Sequence, residues 1–384
     1  MMPQGKGIRF FTYLALTACS VVFALPFVWV IVTSLKPVEQ TMTIPPTWIP
    51  KTYYIQVAGK PLEVKKGVVT QEAGVIAVVK DGPKRGERVF VADSQLKDGK
   101  ALLQVQVADR IEENYYAVDI EKKIQPGWLQ VIEKFSTQYE KIEPYWTFVP
   151  PQEVTEKVKF WFTNYLDVFA KIPFLNYAKN TLIVCILGVI GMTFSSALVA
   201  YGFSRITWKG RDFIFTLTLA SMMIPFAVVM VPLYGVFKNF GWIGTLKPLW
   251  FPCFFGGAFN IFLLKQFFMT IPRDLTDAAR VDGCNEFEIF WRIILPLSKP
   301  ALSVVALFHF MYAWNDFMGP LIYLTNKDTY TLSLGLQVFQ SQHGGTEWHL
   351  LMAASAMVLL PILILFFFAQ KTFIQGVALT GLKE

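Results

Sequence analysis

Six stretches of this chain, near residues 9–34, 178–203, 212–237, 248–269, 300–324 and 350–370, are apolar and long enough to cross a membrane. A hydrocarbon core asks for about 20 such residues in a helix. Few folds remain open to a chain built this way. Backbone N–H and C=O groups in lipid have no water to bond, so each stretch must satisfy its own as a helix. The expected fold is an all-α polytopic membrane protein of six transmembrane helices. Composition agrees, because 54% of the 384 residues are hydrophobic and 16% charged. Soluble domains carry about a quarter charged residues.

Basic residues orient the spans. Lys6 and Arg9 precede the first, and Arg205, Lys209 and Arg211 fill the second-to-third connection. Lys265, Arg273, Arg280, Arg292 and Lys299 lie around the loop before the fifth span, and Lys371 and Lys383 follow the sixth. The short loops on the other side hold Lys238, Lys247 and Lys327. The positive-inside rule therefore places both termini and the 270–299 loop in the cytosol. The net charge of +7 is mostly this asymmetry and is no argument for nucleic-acid binding. Arg205 to Arg211 are read as meeting anionic headgroups. Leu16-Thr17-Ala18-Cys19 resembles a lipoprotein cleavage box, but the apolar run continues through Val21–Val32, which favours a retained signal-anchor helix.

The first connection is different in kind. Residues 36–177 hold 19 of the 35 Lys+Arg and 18 of the 28 Asp+Glu, a near-neutral, densely charged composition like that of a soluble domain. Alternating or β-branched runs at Tyr53–Val57, Gly74–Val79, Arg88–Ala92 and Leu102–Val107 are separated by Ala58-Gly59, Asp81-Gly82-Pro83 and Asp98-Gly99. A helix is expected near 127–142, after Pro126-Gly127. This predicts a β-rich (α+β) extracytoplasmic module over 51–160, between residues 1–50 with the first helix and residues 161–384 with the other five. About 100 residues suffice for a fold of its own.

Catalytic motifs are missing. There is no G-x-x-x-x-G-K-[ST] phosphate loop, no G-x-S-x-G elbow and no H-E-x-x-H pair. His309, His343 and His349 lack metal-ligand spacing, and the cysteines Cys19, Cys185, Cys253 and Cys284 suggest no disulfide framework. No enzyme activity, cofactor or metal is expected in this chain.

The cytosolic loop at 272–298 carries the most legible local chemistry. Asp274 with Asp277 is read as an N-cap pair for a short helix, and Gly283 as its left-handed end. Asn285 with Glu288 forms a capping box for a second helix, which Pro296 stops. Phe287, Phe290, Trp291 and Ile294 make one apolar face at helical spacing. An amphipathic connector packed on its own protein shows the same pattern.

A more specific match lies over the same residues. Asp277-Ala278-Ala279, three residues, Gly283, nine residues, Ile293, one residue and Leu295-Pro296 resemble the EAA loop of bacterial ABC-importer permeases, with Asp277 in place of the usual Glu. Three further blocks resemble the carbohydrate branch of that family, in particular its maltose-type second permease. The first is Thr33-Ser34-Leu35-Lys36-Pro37 with Pro45-Pro46-Thr47-Trp48-Ile49-Pro50, whose usual continuation returns only at Asn164-Tyr165-Leu166-Asp167-Val168-Phe169 and Pro173-Phe174. The others are Trp314-Asn315-Asp316-Phe317 with Pro320-Leu321, and Gln370-Lys371 through Gly376-Val377-Ala378-Leu379-Thr380-Gly381. The family pattern is thus split, with about 51–160 extra.

The resemblance implies a sugar-import permease subunit in a bacterial inner membrane. It also implies an ABC ATPase dimer that binds ATP and Mg, a second homologous permease and an extracytoplasmic solute-binding protein. Asp277, Ala278, Ala279, Asp282, Gly283, Phe287, Leu295 and Pro296 are the expected ATPase-coupling residues. Candidates for the solute path are Trp314, Asn315, Asp316, Asn180 and Asn260, because polar groups in a span normally face a cavity or a partner. For Asn180, Asn260, Ser195 and Ser196 the alternative is interhelical hydrogen bonding, and His309 is read as a packing histidine. The 51–160 module is expected to contact the binding protein, or to be steric or stabilising. Alternative functions are import of glycerol phosphate, a polyol or another small polar solute, a membrane-anchored interaction protein acting through the module, or a secondary transporter.

Overall fold

The computed structural model describes residues 6–57, 59–107, 110–133, 145–340 and 345–381. It divides into a helical unit, Met1–Thr41 with Trp161–Glu384, and a β-rich unit, Met42–Phe160.

The helical unit begins with α1 (Lys6–Ser34), whose most apolar window buries no residue, leaving a surface suited to lipid or a partner helix. After α2 (Thr163–Lys171), α3 (Phe174–Ser204) runs through the core, with buried residues from Tyr177 to Ser204. Gly188 allows a close approach there, since a Cβ would stand 2.7 Å from His309 Nε2.

The remaining stretches are less regular than hydropathy suggests. The third is broken into α4 (Arg211–Ala220) and α5 (Phe226–Asn239), which with a 3-10 turn at Ser221–Met223 make a pair bent by 99°. Ile224, driven to extended ψ of 115° by the following Pro225, is the cause. The fourth comprises α6 (Lys247–Trp250), a 3-10 stretch at Phe251–Phe255 and α7 (Ala258–Thr270).

Beyond it come α8 (Arg273–Val281), α9 (Glu286–Ile289), a π-helical turn at Phe290–Ile294 and α10 (Leu295–Leu297). The fifth stretch is α11 (Lys299–Asn315), which stops at an extended Asp316 and resumes as α12 (Met318–Tyr323). A turn of helix, α13 (Leu332–Gly335), precedes α14 (Trp348–Gly381). Among the described residues four stretches are long and apolar enough to cross a membrane, or up to six if each bent pair counts as one.

Two apolar cores hold these helices. One joins Ala197, Tyr201 and Phe203 of α3 to Phe215, Leu264, Phe268 and Val305, and takes in Ala279, Ile289, Phe290 and Ile294 from the loop region. The other joins Val168, Tyr177 and Val184 to Trp314, Leu332 and Leu350. Across the β-rich unit the helical unit closes on itself. Trp161 N–H donates to Leu35 O at 3.0 Å. Asn164 Nδ2 donates to Ser34 O and Lys36 O at 2.7 and 2.8 Å, and Ser34 Oγ lies 2.8 Å from the Tyr165 hydroxyl. Lys36 is fully buried with its ammonium 4.1 Å from the Trp29 ring centre, and burial pushes its pKa down.

Among the described residues the β-rich unit has two five-stranded sheets, with all strand pairs antiparallel. Its strands are β1 (Lys51–Val57), β2 (Lys60–Val69), β3 (Gly74–Val79), β4 (Arg88–Ala92), β5 (Leu96–Lys97), β6 (Lys100–Val107), β7 (Arg110–Ile124), β8 (Leu129–Glu133), β9 (Trp146–Val149) and β10 (Thr155–Val158). One sheet runs β10-β1-β2-β8-β9 and the other β4-β3-β7-β6-β5. The turn at Asp98-Gly99 has positive φ at both residues, as that dipeptide suggests. Ala58 lies outside the described residues.

The helix expected near 127–142 is corrected. Leu129–Glu133 is a central strand paired with both β2 and β9, and sheet pairing outweighs local helix preference. Residues 134–142 of that expectation are among those not described. Ile76, Ile124 and Phe148 join the two sheets in one apolar cluster. β1 pairs with β10, which brings the ends of the unit together.

Two outcomes are expected for the excised unit, residues 42–160, followed by circular dichroism. Ile76 is 0% exposed, and Ile76→Ala should remove about 2–5 kcal/mol of unfolding free energy. Glu156 accepts from Lys51 and Lys66, both at 2.7 Å, and these bonds hold its pKa below the usual carboxylate value. Its contribution is present above an unfolded pKa of about 4.3 and fades as pH falls through the lower folded value. Glu156→Gln should therefore lower the melting temperature at pH 7 slightly, with the difference vanishing toward pH 3.

Candidate functional site

The loop region from Arg273 to Ser298 is held by caps and a shared core. Pro272 precedes α8 with ψ of 136° and no side-chain cap. Asp274 is therefore not the N-cap; it sits in the first turn, where a carboxylate suits the helix dipole. The C-terminal end is a full Schellman arrangement. Gly283 takes φ of +86°, its N–H donates to Arg280 O at 3.1 Å, and Cys284 N–H donates to Ala279 O at 2.9 Å. Asn285 and Glu288 form the expected capping box, with Glu288 N–H to Asn285 Oδ1 at 2.9 Å and Asn285 N–H to Glu288 Oε2 at 3.1 Å.

Pro296 does not stop the second helix. It fits the first turn of α10, where a missing N–H costs nothing, and the chain bends at Ser298 instead. The apolar face divides as well. Phe290 and Ile294 are buried with Ile289, while Phe287 and Trp291 are 62% and 53% exposed, their rings stacked at 6.3 Å. The π-helical turn shifts the register between them, so a single face at regular spacing does not form. Ala279 is buried and Ala278 exposed; Asp277, Asp282 and Gly283 are exposed, Leu295 half-buried and Pro296 exposed. The free apolar surface is thus Leu275, Val281, Phe287 and Trp291 more than an Ala-Ala face.

Polar contacts add a second tie between loop and helix. Arg280 bridges Asp277 at 2.7 Å and Glu286 at 2.9 Å. Glu286 also accepts from the Tyr201 hydroxyl of α3 at 2.5 Å. Arg205, expected at the headgroups, instead donates to the Phe268 and Ile271 carbonyls that end α7. Carbonyls at a helix end keep acceptor capacity that a guanidinium can fill. Sequence reasoning missed Tyr201, Arg205 and Glu286, whose partners are separated by 63 to 85 positions.

The solute-path candidates separate. Asn180 Nδ2 is taken by the carbonyls of Asp328 and Tyr330 at 2.8 and 3.0 Å. Trp314 is buried, stacked on Phe310, and donates to Val358 O at 3.3 Å. Asn315 is exposed and bonds Met311 O at 2.8 Å within its own helix. Asn260 and Asp316 come together on a cavity of about 490 Å³ that Tyr312, Tyr323, His309 and Cys253 also line. Ser195 Oγ reaches Cys253 O at 3.0 Å, and Ser196 Oγ accepts from Gly257 N–H at 3.2 Å. Among the described residues no three of His, Cys, Asp or Glu gather as a metal site.

Comparison with known proteins bears on the helical unit. Residues 190–379 match the family described as binding-protein-dependent transport system inner membrane component. The chain is 35% identical over 223 residues to the arabinooligosaccharides transport system permease protein AraQ of Bacillus subtilis, covering 58% of this chain and 79% of that one. It is 34% identical to the trehalose/maltose transport system permease protein MalG of Thermococcus litoralis, covering 57% and 80%. A crystal structure of a bacterial ABC transporter involved in import of the acidic polysaccharide alginate aligns with a TM-score of 0.51 at 22% identity, over 58% of this chain and 81% of that one. That likeness shows the permease fold. With about four-fifths of the length of AraQ and MalG matched at 34–35% identity, the chain belongs to the family of binding-protein-dependent transport system inner membrane components.

Proposed function

We propose that the chain is the permease subunit of an ATP-driven ABC importer for sugars. Six spans leave both termini and the loop at 272–298 in the cytosol and the β-rich unit outside the inner membrane. Its partners are an ABC ATPase dimer, a second homologous permease, an extracytoplasmic solute-binding protein and the lipid bilayer. ATP and Mg belong to the ATPase, and this chain supplies no phosphate-binding loop. The sugar reading is supported by the names of its relatives, which are permease proteins of arabinooligosaccharides and trehalose/maltose transport systems.

One observation carries the coupling role. The loop buries Ala279, Ile289, Phe290 and Ile294 in the core of α3, α7 and α11, yet leaves Phe287 and Trp291 exposed. Burying a large apolar side chain contributes about 1.5–3 kcal/mol. A force applied to the exposed face therefore passes into the helices before the loop can peel away. Asp277 already has Arg280 beside it, and an exposed ion pair adds only about 0–1 kcal/mol. Docking then rests more on the exposed apolar groups than on charge.

Gly283→Pro forbids the positive φ that closes α8. Uptake by membrane vesicles and co-purification of the ATPase should both be lost, while the permease still inserts; normal uptake would sink the coupling role. Tyr201→Phe removes the bond to Glu286 and keeps the ring in the core. Assembly should persist while uptake per ATP hydrolysed falls several-fold, measured in proteoliposomes.

A further inference from the structure

The cavity of about 490 Å³ lies wholly within the helical unit, walled by α3, α5, α6, α7, α11 and α12. Its lining is apolar and aromatic except at a few points. Among the described residues Asp316 is the only carboxylate on it, and no Lys or Arg lines it. His309 faces Cys253, with Nε2 and Sγ 3.4 Å apart. Tyr323 is 4% exposed, and its hydroxyl has no hydrogen-bond partner although the residue lines the cavity. A buried hydroxyl left unpaired is costly.

The carboxylate is built in. Gly319 N–H donates to Asp316 Oδ1 at 3.1 Å, which fixes where that oxygen sits. A Cβ at position 319 would stand 2.5 Å from Asp316 Oδ2, so glycine there leaves the room that this oxygen occupies. An ionised carboxylate only accepts hydrogen bonds. It suits the O–H donors of a hydroxylated solute and opposes phosphate or carboxylate, which need Arg, Lys or a helix N-terminus. The aromatic walls at Phe259, Phe308 and Tyr312 offer apolar faces to the C–H surfaces of such a solute.

We propose that this cavity is a charge-selecting solute chamber that admits neutral or cationic hydroxylated solutes and repels anionic ones, with Asp316 as the selecting group. The proposal rests on the transport reading for its physiological meaning. Its test does not. Cys253 lines the chamber and becomes the sole thiol once Cys19, Cys185 and Cys284 are replaced by Ser. A second reporter is Phe259→Cys in a background that also lacks Cys253.

In membrane vesicles carrying the full chain, a cationic methanethiosulfonate should modify these thiols roughly tenfold faster than an anionic one of matched size, relative to a free thiol. Asp316→Asn should bring that ratio close to one. Maltose should protect the thiols and glycerol 3-phosphate should not. Equal rates for the two reagents, a ratio unmoved by Asp316→Asn, or no reaction at either thiol overturns the proposal. Uptake of maltose and glycerol 3-phosphate by the complete system separates this from the transport reading. A charge ratio that follows Asp316 without uptake of any solute keeps the chamber and removes the importer; intact uptake with a flat ratio does the reverse.

Discussion

The burial of the loop's own side chains in the core of the membrane helices is the constraint on which the remaining architecture turns. Ile289, Phe290 and Ile294 are at most 1% exposed and share one cluster with Leu264 and Phe268 of α7 and Val305 of α11. Caps alone would give a stiff loop on a loose tether, since each contributes about 1 kcal/mol. The shared core turns stiffness into attachment. The Tyr201–Glu286 bond and the Arg205 contacts to the end of α7 then fix how the loop is turned against α3. Displacing α8 and α9 without moving α3 would require opening a packed interior, and close-packed interiors resist that.

The same logic explains how the helical unit accommodates a separate β-rich unit within its chain. The residues that flank the interruption, Ser34 to Lys36 and Trp161 to Tyr165, bond to each other through backbone and side chains. The β-rich unit in turn pairs its first and last strands and carries its own apolar clusters. Each unit makes these bonds and buries these apolar clusters within itself. Chains accept inserted domains at places where two ends lie close together.

What the sequence made legible follows from the range of each interaction. Gly283, the Asn285–Glu288 box and the Asp98-Gly99 turn depend on neighbours a few residues away, and each could be read directly. Strands that read as short β-branched runs, such as Gly74–Val79, were also visible. Leu129–Glu133 was not, because its conformation is set by β2, about 65 positions earlier in the chain, and by β9. The division of Phe287 and Trp291 from Phe290 and Ile294 needs the π-helical turn, which periodicity does not encode. For the solute-path candidates, polarity within a span was a coarse signal. It selected Asn180 and Trp314, whose polar atoms are taken by backbone carbonyls, together with Asp316 and Asn260, which line the cavity.

The places where the apolar stretches depart from regular helix are not scattered. Phe226 follows the Pro225 break, Pro252 to Gly256 belong to the 3-10 stretch and its end, and Asp316 is the break between α11 and α12. All of these segments reach the wall of one cavity. In a hydrocarbon environment non-helical backbone is tolerated only where protein covers it or where it lines a polar space. Hydropathy read three continuous spans because it registers composition and not hydrogen bonding. The irregular backbone at Pro225, Gly256 and Asp316 and the polar groups of Asp316, Tyr323 and Asn260 therefore have a common physical basis. The chain gives up helical regularity where the cavity supplies other surroundings, and the hydrogen-bonding groups of Asp316 and Asn260 lie on its wall.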